Sequence, residues 1–289
     1  MDLVELFFIS LGATIAVYYG VRLLLFSRMI FPKLWFPLSK SFFTSMGEWA
    51  VVTGSSEGIG RAYAFMLAKK GMNVVIISRT KEKLDVVAKD IGHTTGQMVK
   101  VIVTDFIKEN VFSDIEDQLK GLNIGVLVNN VGILPSTIPC QFLEHEELNQ
   151  VSVLWRLILN ISSGVASVPF PMYTLYSSSK VFVERFSQSL QAEYKDKEII
   201  IQAVAPFGVS TRMSGYQKTN MVTLSPEQFV ERSLQYIRAG DKTNGCICHI
   251  ILSWILQTIP LKDFMLQGLQ EYIKKNNFKN HRNKSGGAI

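Results

Sequence analysis

The first 26 residues carry an almost unbroken run of apolar side chains. From Leu3 to Phe26 the run is interrupted only by Glu5 and Arg22. At a rise of about 1.5 Å per residue, a helix over this run is roughly 36 Å long, enough to cross a hydrocarbon core of about 30 Å. The pattern predicts a retained membrane anchor over residues 1–27, with a cleaved signal peptide as the alternative.

A strand–helix rhythm begins near residue 49 and continues through the body of the chain. Short apolar runs, typical of buried parallel strands, alternate with longer stretches of helical periodicity. The predicted strands are 49–53, 73–78, 99–104, 124–129 and 157–161, and the predicted helices are 59–70, 81–90, 110–119 and 226–238. This alternation predicts an α/β fold with a doubly wound parallel sheet, preceded by one transmembrane helix.

Composition and charge narrow the classes of protein that fit this pattern. Hydrophobic residues make up 47% and charged residues 19% of the chain, which excludes a disordered or fibrous protein. The net charge is +6, but no module for nucleic-acid binding accompanies it. Three cysteines and four scattered histidines argue against a disulfide framework and a zinc site. Cations follow the apolar run and none precedes it, which predicts a cytosolic location for the rest of the chain.

A glycine-rich turn, Thr53 to Gly60, follows the first predicted strand. Glycines at Gly54, Gly58 and Gly60 allow a sharp turn, a close approach of the backbone to a pyrophosphate and tight packing of the next helix. A helix that begins near Gly58 directs unpaired N–H groups at the phosphates. An ordinary tight strand-to-helix turn is the alternative, but the position after the first buried strand favours dinucleotide binding.

The residues at the end of the second predicted strand distinguish two dinucleotides. An acidic residue there binds the 2′-hydroxyl of NAD, whereas an arginine accommodates the 2′-phosphate of NADP. This chain has Ser78-Arg79-Thr80 and no acid at that position. The sequence therefore predicts NADPH as the cofactor, although Arg79 is also compatible with a plain surface charge.

Tyr176 and Lys180 lie four residues apart on a predicted helix and so share one face. A cation beside a phenol favours the tyrosinate and lowers the phenol pKa from about 10 towards the working range. We expect an apolar stripe of Phe182, Phe186 and Leu190 to anchor this helix against the sheet. The pair is thus a candidate for proton transfer to or from a substrate.

Ser163 lies thirteen residues before Tyr176, at the end of the fifth predicted strand. Its hydroxyl is placed either to hold a substrate carbonyl oxygen or merely to cap the end of the strand.

Four motifs in this chain order resemble those of the short-chain dehydrogenase/reductase family. They are Thr53-Gly-x-x-x-Gly-x-Gly60, Asn129-Asn130-Val131-Gly132, Ser163 and Tyr176-x-x-x-Lys180. The resemblance covers residues 45–240 and implies a Rossmann-type sheet. Within the family, the N-terminal anchor and the segments LNISSG and PFGVST are similar to the membrane-bound 17-beta-hydroxysteroid dehydrogenases. The reductases of 3-ketoacyl-CoA in fatty-acid elongation are also similar and form the alternative.

The resemblance implies a role for each matching residue. Tyr176 is expected to donate the proton, Ser163 to position the carbonyl, and Lys180 to tune Tyr176 and bind the nicotinamide ribose. The implied NADPH contacts are Gly54, Ser56, Gly58, Ile59, Gly60, Arg79, Asp105 near the adenine, Asn129 near a ribose, Lys180, and Val209 and Thr211 near the nicotinamide. The implied reaction is reduction of a 17-ketosteroid, androstenedione to testosterone, by a homodimer in the endoplasmic reticulum membrane.

One segment departs from the family pattern. Only 34 positions separate Asn129 from Ser163, which is about 20 fewer than the resemblance leads us to expect. The shortening falls between residues 143 and 157 and removes most of a long helix that supplies a catalytic asparagine. Asn149 is the one asparagine near this place, and its surroundings do not match. A splice form or an incomplete gene model with impaired catalysis is therefore an alternative to an active enzyme, and dimerisation is in doubt.

The C-terminal part carries weaker signals. The apolar stretch Gly245–Leu269 is suited either to line a lipid pocket or to lie against a bilayer. Cys246, Cys248 and His249 have the wrong spacing for a metal site, so none is expected. The basic residues 274–284 form either a solvated end or a contact with an anionic leaflet. These patterns divide the chain into an anchor (1–27), a linker (28–47), an NADP-binding catalytic domain (48–240) and an apolar extension with a basic tail (241–289).

Overall fold

The computed structural model describes residues 2–106, 111–131, 156–170 and 173–258. Its first element is a long apolar helix. This helix, α1 (Leu3–Ile30), has 28 residues and no fully buried side chain. Within the described part of the chain, it is the single helix that is long and apolar enough to cross a membrane. The predicted N-terminal helix is thus present, and it continues four residues beyond Phe26.

The segment between α1 and the sheet is tied to the domain. It begins with the short helix α2 (Pro32–Trp35), whose Pro32 is buried. Phe43 is also buried and belongs to the main hydrophobic core. A Cβ at Gly47 would lie 2.5 Å from the backbone nitrogen of Gly125, so the two backbones are in direct contact. The second half of the predicted linker therefore packs on the sheet.

Seven parallel strands form one sheet, and this confirms the predicted fold class. The strands are β1 (Trp49–Thr53), β2 (Asn73–Ser78), β3 (Val99–Val103), β4 (Ile124–Asn129), β5 (Leu157–Ile161), β6 (Ile200–Val204) and β7 (Lys242–Thr243). Their order in the sheet is β3-β2-β1-β4-β5-β6-β7, and every pairing is parallel. The order reverses between β1 and β4, and sheets of this kind bind ligands at the carboxyl ends of the strands beside such a reversal.

Helices cover both faces of the sheet. They are α3 (Gly58–Lys69), α4 (Lys81–Thr95), α5 (Val111–Leu119), α6 (Thr174–Glu193), α7 (Pro226–Ser233) and α8 (Ile247–Thr258). Successive side chains of β1 enter different cores, since Ala50 and Val52 belong to the larger cluster and Val51 to the smaller one. This alternation follows from the two-residue period of a strand and explains why the strands are apolar on both faces.

Two helices end five residues away from their predicted last residue. α4 continues to Thr95 instead of ending at residue 90, and it stops where Gly96 adopts a left-handed φ of 72°. α7 begins with the predicted proline after a capping box of Ser225 and Gln228. It ends at Ser233, where a 3-10 turn over residues 234–236 replaces the predicted continuation to residue 238.

Strands β4 and β5 are neighbours although the connection between them is short. They pair in parallel, with Val126 opposite Leu157 and Asn129 opposite Asn160. A parallel crossover needs about a dozen residues, and the sequence between the strands supplies more than that. The predicted shortening between 143 and 157 and the candidate Asn149 lie outside the described residues.

Candidate active site

The glycine-rich turn between β1 and α3 has the backbone geometry that the sequence predicts. Gly54 and Gly58 adopt left-handed φ angles of 64° and 61°, a region in which other residues are strained. No side chain caps the start of α3. The first N–H groups of α3, together with the positive end of its dipole, are therefore suited to an anionic group.

Gly60 brings α3 into contact with the two loops that flank the sheet reversal. A Cβ at Gly60 would lie 2.3 Å from the Gly54 carbonyl oxygen and 2.5 Å from the Asn130 side-chain nitrogen. Asn130 donates from that nitrogen to the carbonyl oxygens of Thr53 and Gly54, each at 3.2 Å. The Asn130 backbone N–H donates to the Thr53 hydroxyl at 3.0 Å. Any larger side chain at Gly60 would push these groups apart.

Sequence reasoning missed the role of Asn130 in this arrangement. It assigned the cofactor contact to Asn129, the first residue of the asparagine pair. The side chain of Asn129 donates to the Asn160 side-chain oxygen at 2.9 Å, and Asn160 donates to the Ser187 hydroxyl at 2.9 Å; the cofactor contact of Asn129 stays a prediction. Asn129 therefore connects β4 to β5 and α6, while Asn130 fixes the cofactor turn. The sequence contained the Asn129-Asn130 pair, but the pair alone did not show which of the two side chains contacts the glycine-rich turn.

The predicted cofactor residues at the ends of β2 and β3 lie on the same side of the sheet as the turn. The hydroxyls of Ser56 and Ser78 are 3.0 Å apart, which joins the turn to the end of β2. Arg79 follows directly and is exposed, and Asp105 follows β3 and is half-buried. Ile59 is half-buried and packs on the core. Arg79 and Asp105 therefore follow neighbouring strands at the carboxyl edge of the sheet, the edge at which folds of this kind bind a dinucleotide.

The structure brings Ser163 and Tyr176 together at the carboxyl end of β5. Burial has the largest effect on the phenol and raises the pKa of Tyr176. The nearby Ser163 hydroxyl opposes the rise, and the neighbouring Tyr173 adds to it. This direction is opposite to the lowering expected from Lys180, because desolvation of the tyrosinate dominates. A protonated phenol at neutral pH is the form that donates a proton.

Lys180 lies beside Tyr176 as the four-residue spacing predicts. Its ammonium nitrogen is 5.6 Å from the centre of the Tyr176 ring and donates to the Ile161 carbonyl oxygen at 3.0 Å. Burial lowers the pKa of Lys180 to about 8. The side chain is therefore charged at neutral pH, but its surroundings do not fully offset the free energy lost when burial removes water from the ammonium group.

The predicted packing of α6 is wrong. Phe182 and Phe186 are exposed by 54% and 40% and stack on each other, with ring centres 5.8 Å apart. The face of α6 that meets the sheet is instead polar and consists of Ser177, Lys180, Glu184 and Ser187. Small serines let the helix approach closely, and each polar group needs a partner once it is buried.

Those partners come from β5 and β7. The Ser162 hydroxyl lies 2.9 Å from the Lys180 carbonyl oxygen and 3.2 Å from a Glu184 carboxylate oxygen. Lys242 on β7 donates to the other Glu184 oxygen at 2.7 Å. This buried network holds α6, the helix that carries Tyr176 and Lys180, in place, and no local sequence pattern indicated it.

The loop after β6 crosses the site and reaches the glycine-rich turn. A Cβ at Gly58 would lie 3.3 Å from the Thr211 methyl group, so Thr211 lies at the start of α3. Arg212 pairs with Glu57 at 3.5 Å. Val209 forms a bridge with Leu224, and its side chain belongs to the main core. The predicted cofactor residues Gly58 and Thr211, which are distant in sequence, are thus adjacent.

His249 fixes this loop to α8. Its Nδ1 accepts from the Phe207 backbone N–H at 3.3 Å, and its Nε2 donates to the Val222 carbonyl oxygen at 2.7 Å in the matching tautomer. Burial lowers the pKa of His249, so the ring is neutral. The Phe207 ring in turn covers Gly164, where a Cβ would lie 2.5 Å from it. No pattern in the sequence indicated this role of His249.

Cys246, Cys248 and His249 form the group of potential metal ligands found in the described residues. One ligand atom from each lies within 4.8 Å of the others. However, both ring nitrogens of His249 already bond to the backbone, and burial raises the pKa of the Cys246 thiol to about 12. A cysteine that binds a metal must be a thiolate, so this chemistry also disfavours a metal site, which the sequence did not predict here.

The family model described as "short chain dehydrogenase" matches residues 48–154 and 156–221. This chain belongs to the short-chain dehydrogenase family. The match includes the glycine-rich turn, Ser163, Tyr176 and Lys180, and its two parts meet at residue 155, just before β5. Family membership makes the chain an oxidoreductase by descent and fold.

Individual members of the family align over most of the chain. The chain is 49% identical to a protein of Danio rerio named 17-beta-hydroxysteroid dehydrogenase type 3, over 95% of this chain and 98% of that protein. It is 42% identical to the very-long-chain 3-oxoacyl-CoA reductase of Anas platyrhynchos, over 76% of this chain and 78% of that protein. A short-chain dehydrogenase from Sphingobium yanoikuyae, solved with NADPH, superposes with a TM-score of 0.59 at 21% identity, over 78% of this chain and 95% of that one.

The alignment also bears on the shortened segment. It extends over 304 positions in the comparison with the Danio rerio protein, whereas this chain has 289 residues. At least 15 positions of the alignment (304 − 289) therefore have no counterpart in this chain. This total leaves room for the shortening between Asn129 and Ser163, which stays a prediction.

Proposed function

We propose that this protein is a membrane-anchored, NADPH-dependent reductase that converts a 17-ketosteroid to the 17-beta-hydroxysteroid, androstenedione to testosterone. One observation carries the choice of substrate. The relative named 17-beta-hydroxysteroid dehydrogenase type 3 aligns over 95% of the chain, whereas the 3-oxoacyl-CoA reductase aligns over 76%. The steroid enzyme thus resembles nearly all of this chain, including regions outside the shared catalytic core.

The residues at the sheet reversal fit a dinucleotide. Gly54 and Gly58 give the turn its shape, and the absence of a Cβ at Gly60 lets α3 lie against it. Arg79 at the end of β2, with no acid in its place, supports NADPH over NADH. When bound, this cofactor supplies the hydride for the carbonyl carbon.

The catalytic group provides the proton for the carbonyl oxygen. Tyr176 is kept protonated by burial and is placed to donate to the oxygen as charge develops on it. The Ser163 hydroxyl, which lies close enough to Tyr176 to affect its pKa, holds the same oxygen. The charged Lys180 is 5.6 Å from the phenol ring and stabilises the tyrosinate that proton donation leaves behind.

The location follows from α1 and its flanking charges. Arg22, Arg28, Lys33 and Lys40 lie towards the end of the apolar run or after it, which favours a cytosolic catalytic domain by the positive-inside tendency. A single-pass anchor in the endoplasmic reticulum membrane is part of the proposal. Alkaline carbonate extraction of membranes tests the anchor, and protease protection tests the orientation.

The 3-oxoacyl-CoA reductase is the second candidate, since that relative is 42% identical. The deciding experiment gives purified, bilayer-reconstituted protein either androstenedione or a long-chain 3-ketoacyl-CoA, with NADPH or NADH, and quantifies the alcohol product. We expect testosterone from androstenedione with NADPH. Preferential reduction of the acyl thioester would support the second candidate. Folded protein that reduces neither substrate would support the catalytically impaired form.

A further inference from the structure

The outward face of α8 is apolar, although it lies at the surface of the domain. The helix contains no Asp, Glu, Lys or Arg. His249, Ile250 and Ser253 are buried against the domain, while Ile251 and Trp254 are exposed by 41% and 51%. A surface helix normally turns charged or polar residues outward, so this face is suited to contact something other than water.

α8 lies against the end of the candidate membrane span. The rings of Phe26 on α1 and Trp254 on α8 have centres 6.4 Å apart. Phe26 is the last residue of the apolar run, so Trp254 lies at the depth where α1 leaves the hydrocarbon. Tryptophan is enriched at this depth of a membrane protein. At about 18 Å, a helix as short as α8 does not span a bilayer of about 30 Å but can lie at its surface.

The short helix after α1, which like α8 lies against α1, also carries exposed apolar side chains. Leu34 is exposed by 78%, and Trp35 is exposed beside it. Arg28 lies over the rings of Trp35 and Phe36, at 6.0 and 4.9 Å from their centres, and Lys33 is exposed on the same short helix. Aromatic and aliphatic side chains next to cations are the composition of a segment that lies at the headgroups of a membrane.

The loop after β6 is held by the buried side of α8 and carries an exposed apolar side chain. His249 on α8 holds the carbonyl of Val222, and the preceding Met221 has one of the most exposed apolar side chains of the domain, at 89%. The other end of the same loop carries Thr211, which lies at the start of α3. A contact at Met221 thus connects to the site through one continuous loop.

We propose that the lipid bilayer crossed by α1 also covers this surface, formed by Leu34 and Trp35 of α2, Ile251 and Trp254 of α8, and Met221. The domain then rests on the membrane through a second contact that does not span it, and the loop over the active site faces lipid. The proposal rests on α1 crossing the bilayer, and it predicts that an apolar substrate reaches the site from the membrane rather than from water.

Tryptophan quenching in the full chain tests this contact. The protein is reconstituted into nanodiscs of phosphatidylcholine with or without brominated acyl chains, which quench nearby indole fluorescence. Trp254→Phe is the test variant, and Trp35→Phe is a second one. Trp49→Phe is the matched control, because Trp49 begins β1 within the sheet.

The test and control variants have expected effects of opposite sign. Trp254→Phe should lower the fraction of emission that bromine quenches, whereas Trp49→Phe should raise that fraction by removing emission from an unquenched indole. An unchanged or raised fraction for Trp254→Phe would overturn the proposal and would indicate that protein rather than lipid covers α8. Carbonate extraction tests α1 separately. A chain whose α1 spans the bilayer stays in the membrane pellet whether or not lipid covers α8, whereas a chain whose α1 does not span is released.

Discussion

The cofactor turn and the catalytic helix are held in place by different means. The turn depends on the backbone, because Gly54 and Gly58 adopt left-handed angles and Gly60 leaves no room for a Cβ. The catalytic helix α6 depends on buried polar side chains, which bond to groups on β5 and β7. The difference indicates that a substitution should break the turn by steric overlap and the helix by leaving polar groups unpaired.

The largest expected effect on the turn comes from Gly60→Ala. The new methyl group would overlap the Gly54 carbonyl and the Asn130 amide, so we expect a loss of about 3 kcal/mol in the free energy of unfolding. We also expect loss of NADPH binding, measured by cofactor fluorescence. Gly92→Ala is the control, because Gly92 lies in α4 with no atom within 4 Å of a new Cβ. Equal stability of the two variants would contradict the steric account.

The matching test on the helix is Glu184→Gln. Glu184 is nearly inaccessible and pairs with Lys242 at 2.7 Å, so removal of its charge leaves a half-buried cation without its anion. We expect a loss of about 2–3 kcal/mol in denaturant unfolding, together with lower activity because α6 shifts. The exposed pair of Lys120 and Asp117 supplies the control, and Asp117→Asn should leave stability unchanged. A null result at Glu184 would show that the polar network is not what positions α6.

Lys180→Met should raise stability while it removes activity. Burial holds the pKa of Lys180 at about 8, below the usual 10.5, so the folded state pays to keep the ammonium charged at neutral pH. The gain at pH 7 should be about 2 kcal/mol after the lost hydrogen bond to Ile161 is counted.

The stability difference between Lys180→Met and the wild type should depend on pH. The unfolded chain binds the extra proton between pH 8 and 10.5, so wild-type stability contains a term that rises with pH across this window. The advantage of Lys180→Met should therefore shrink from pH 7 towards pH 10.5 in thermal unfolding experiments. Wild-type reductase activity should fall above pH 8 as the ammonium is lost. A stability difference that is independent of pH would contradict the assigned cause.

The smallest expected effect comes from Phe182→Ala. Because the ring is half exposed and its main aromatic contact is Phe186, we expect a loss below about 1 kcal/mol. The fully buried Phe229 is the control, and Phe229→Ala should cost about 3–5 kcal/mol. A large loss at Phe182 would show that another part of the protein, or a second copy, covers this side of α6.

The sequence predicted the cofactor turn well because its signal is local. The buried strand before the turn appears in the sequence as a short apolar run. The glycines that adopt left-handed φ angles lie within the turn itself, so neighbouring residues are enough to predict it. The packing of α6 was mispredicted for the opposite reason. Phe182 and Phe186 suggested an apolar anchor, but the buried face was decided by Ser162, Asn160 and Lys242, which lie far from α6 in sequence or on other strands.

The roles of Asn130 and His249 show the same limit. Each side chain joins segments that are distant in the chain, and its orientation is set by the fold rather than by neighbouring residues. The raised pKa of Tyr176 is a further case, since the spacing of Tyr176 and Lys180 indicates proximity but not how much water burial removes.

The most direct test of the account compares wild type with Tyr176→Phe for NADPH binding and for androstenedione reduction in the same bilayer preparation. We predict that both proteins bind NADPH, because the cofactor turn is intact in each. We predict that only the wild type forms testosterone at an appreciable rate, with a loss of about 10²–10⁴-fold in the variant, while Tyr194→Phe at the other end of α6 retains activity. Equal turnover by wild type and Tyr176→Phe, or no turnover by folded wild type that binds NADPH, would contradict the account.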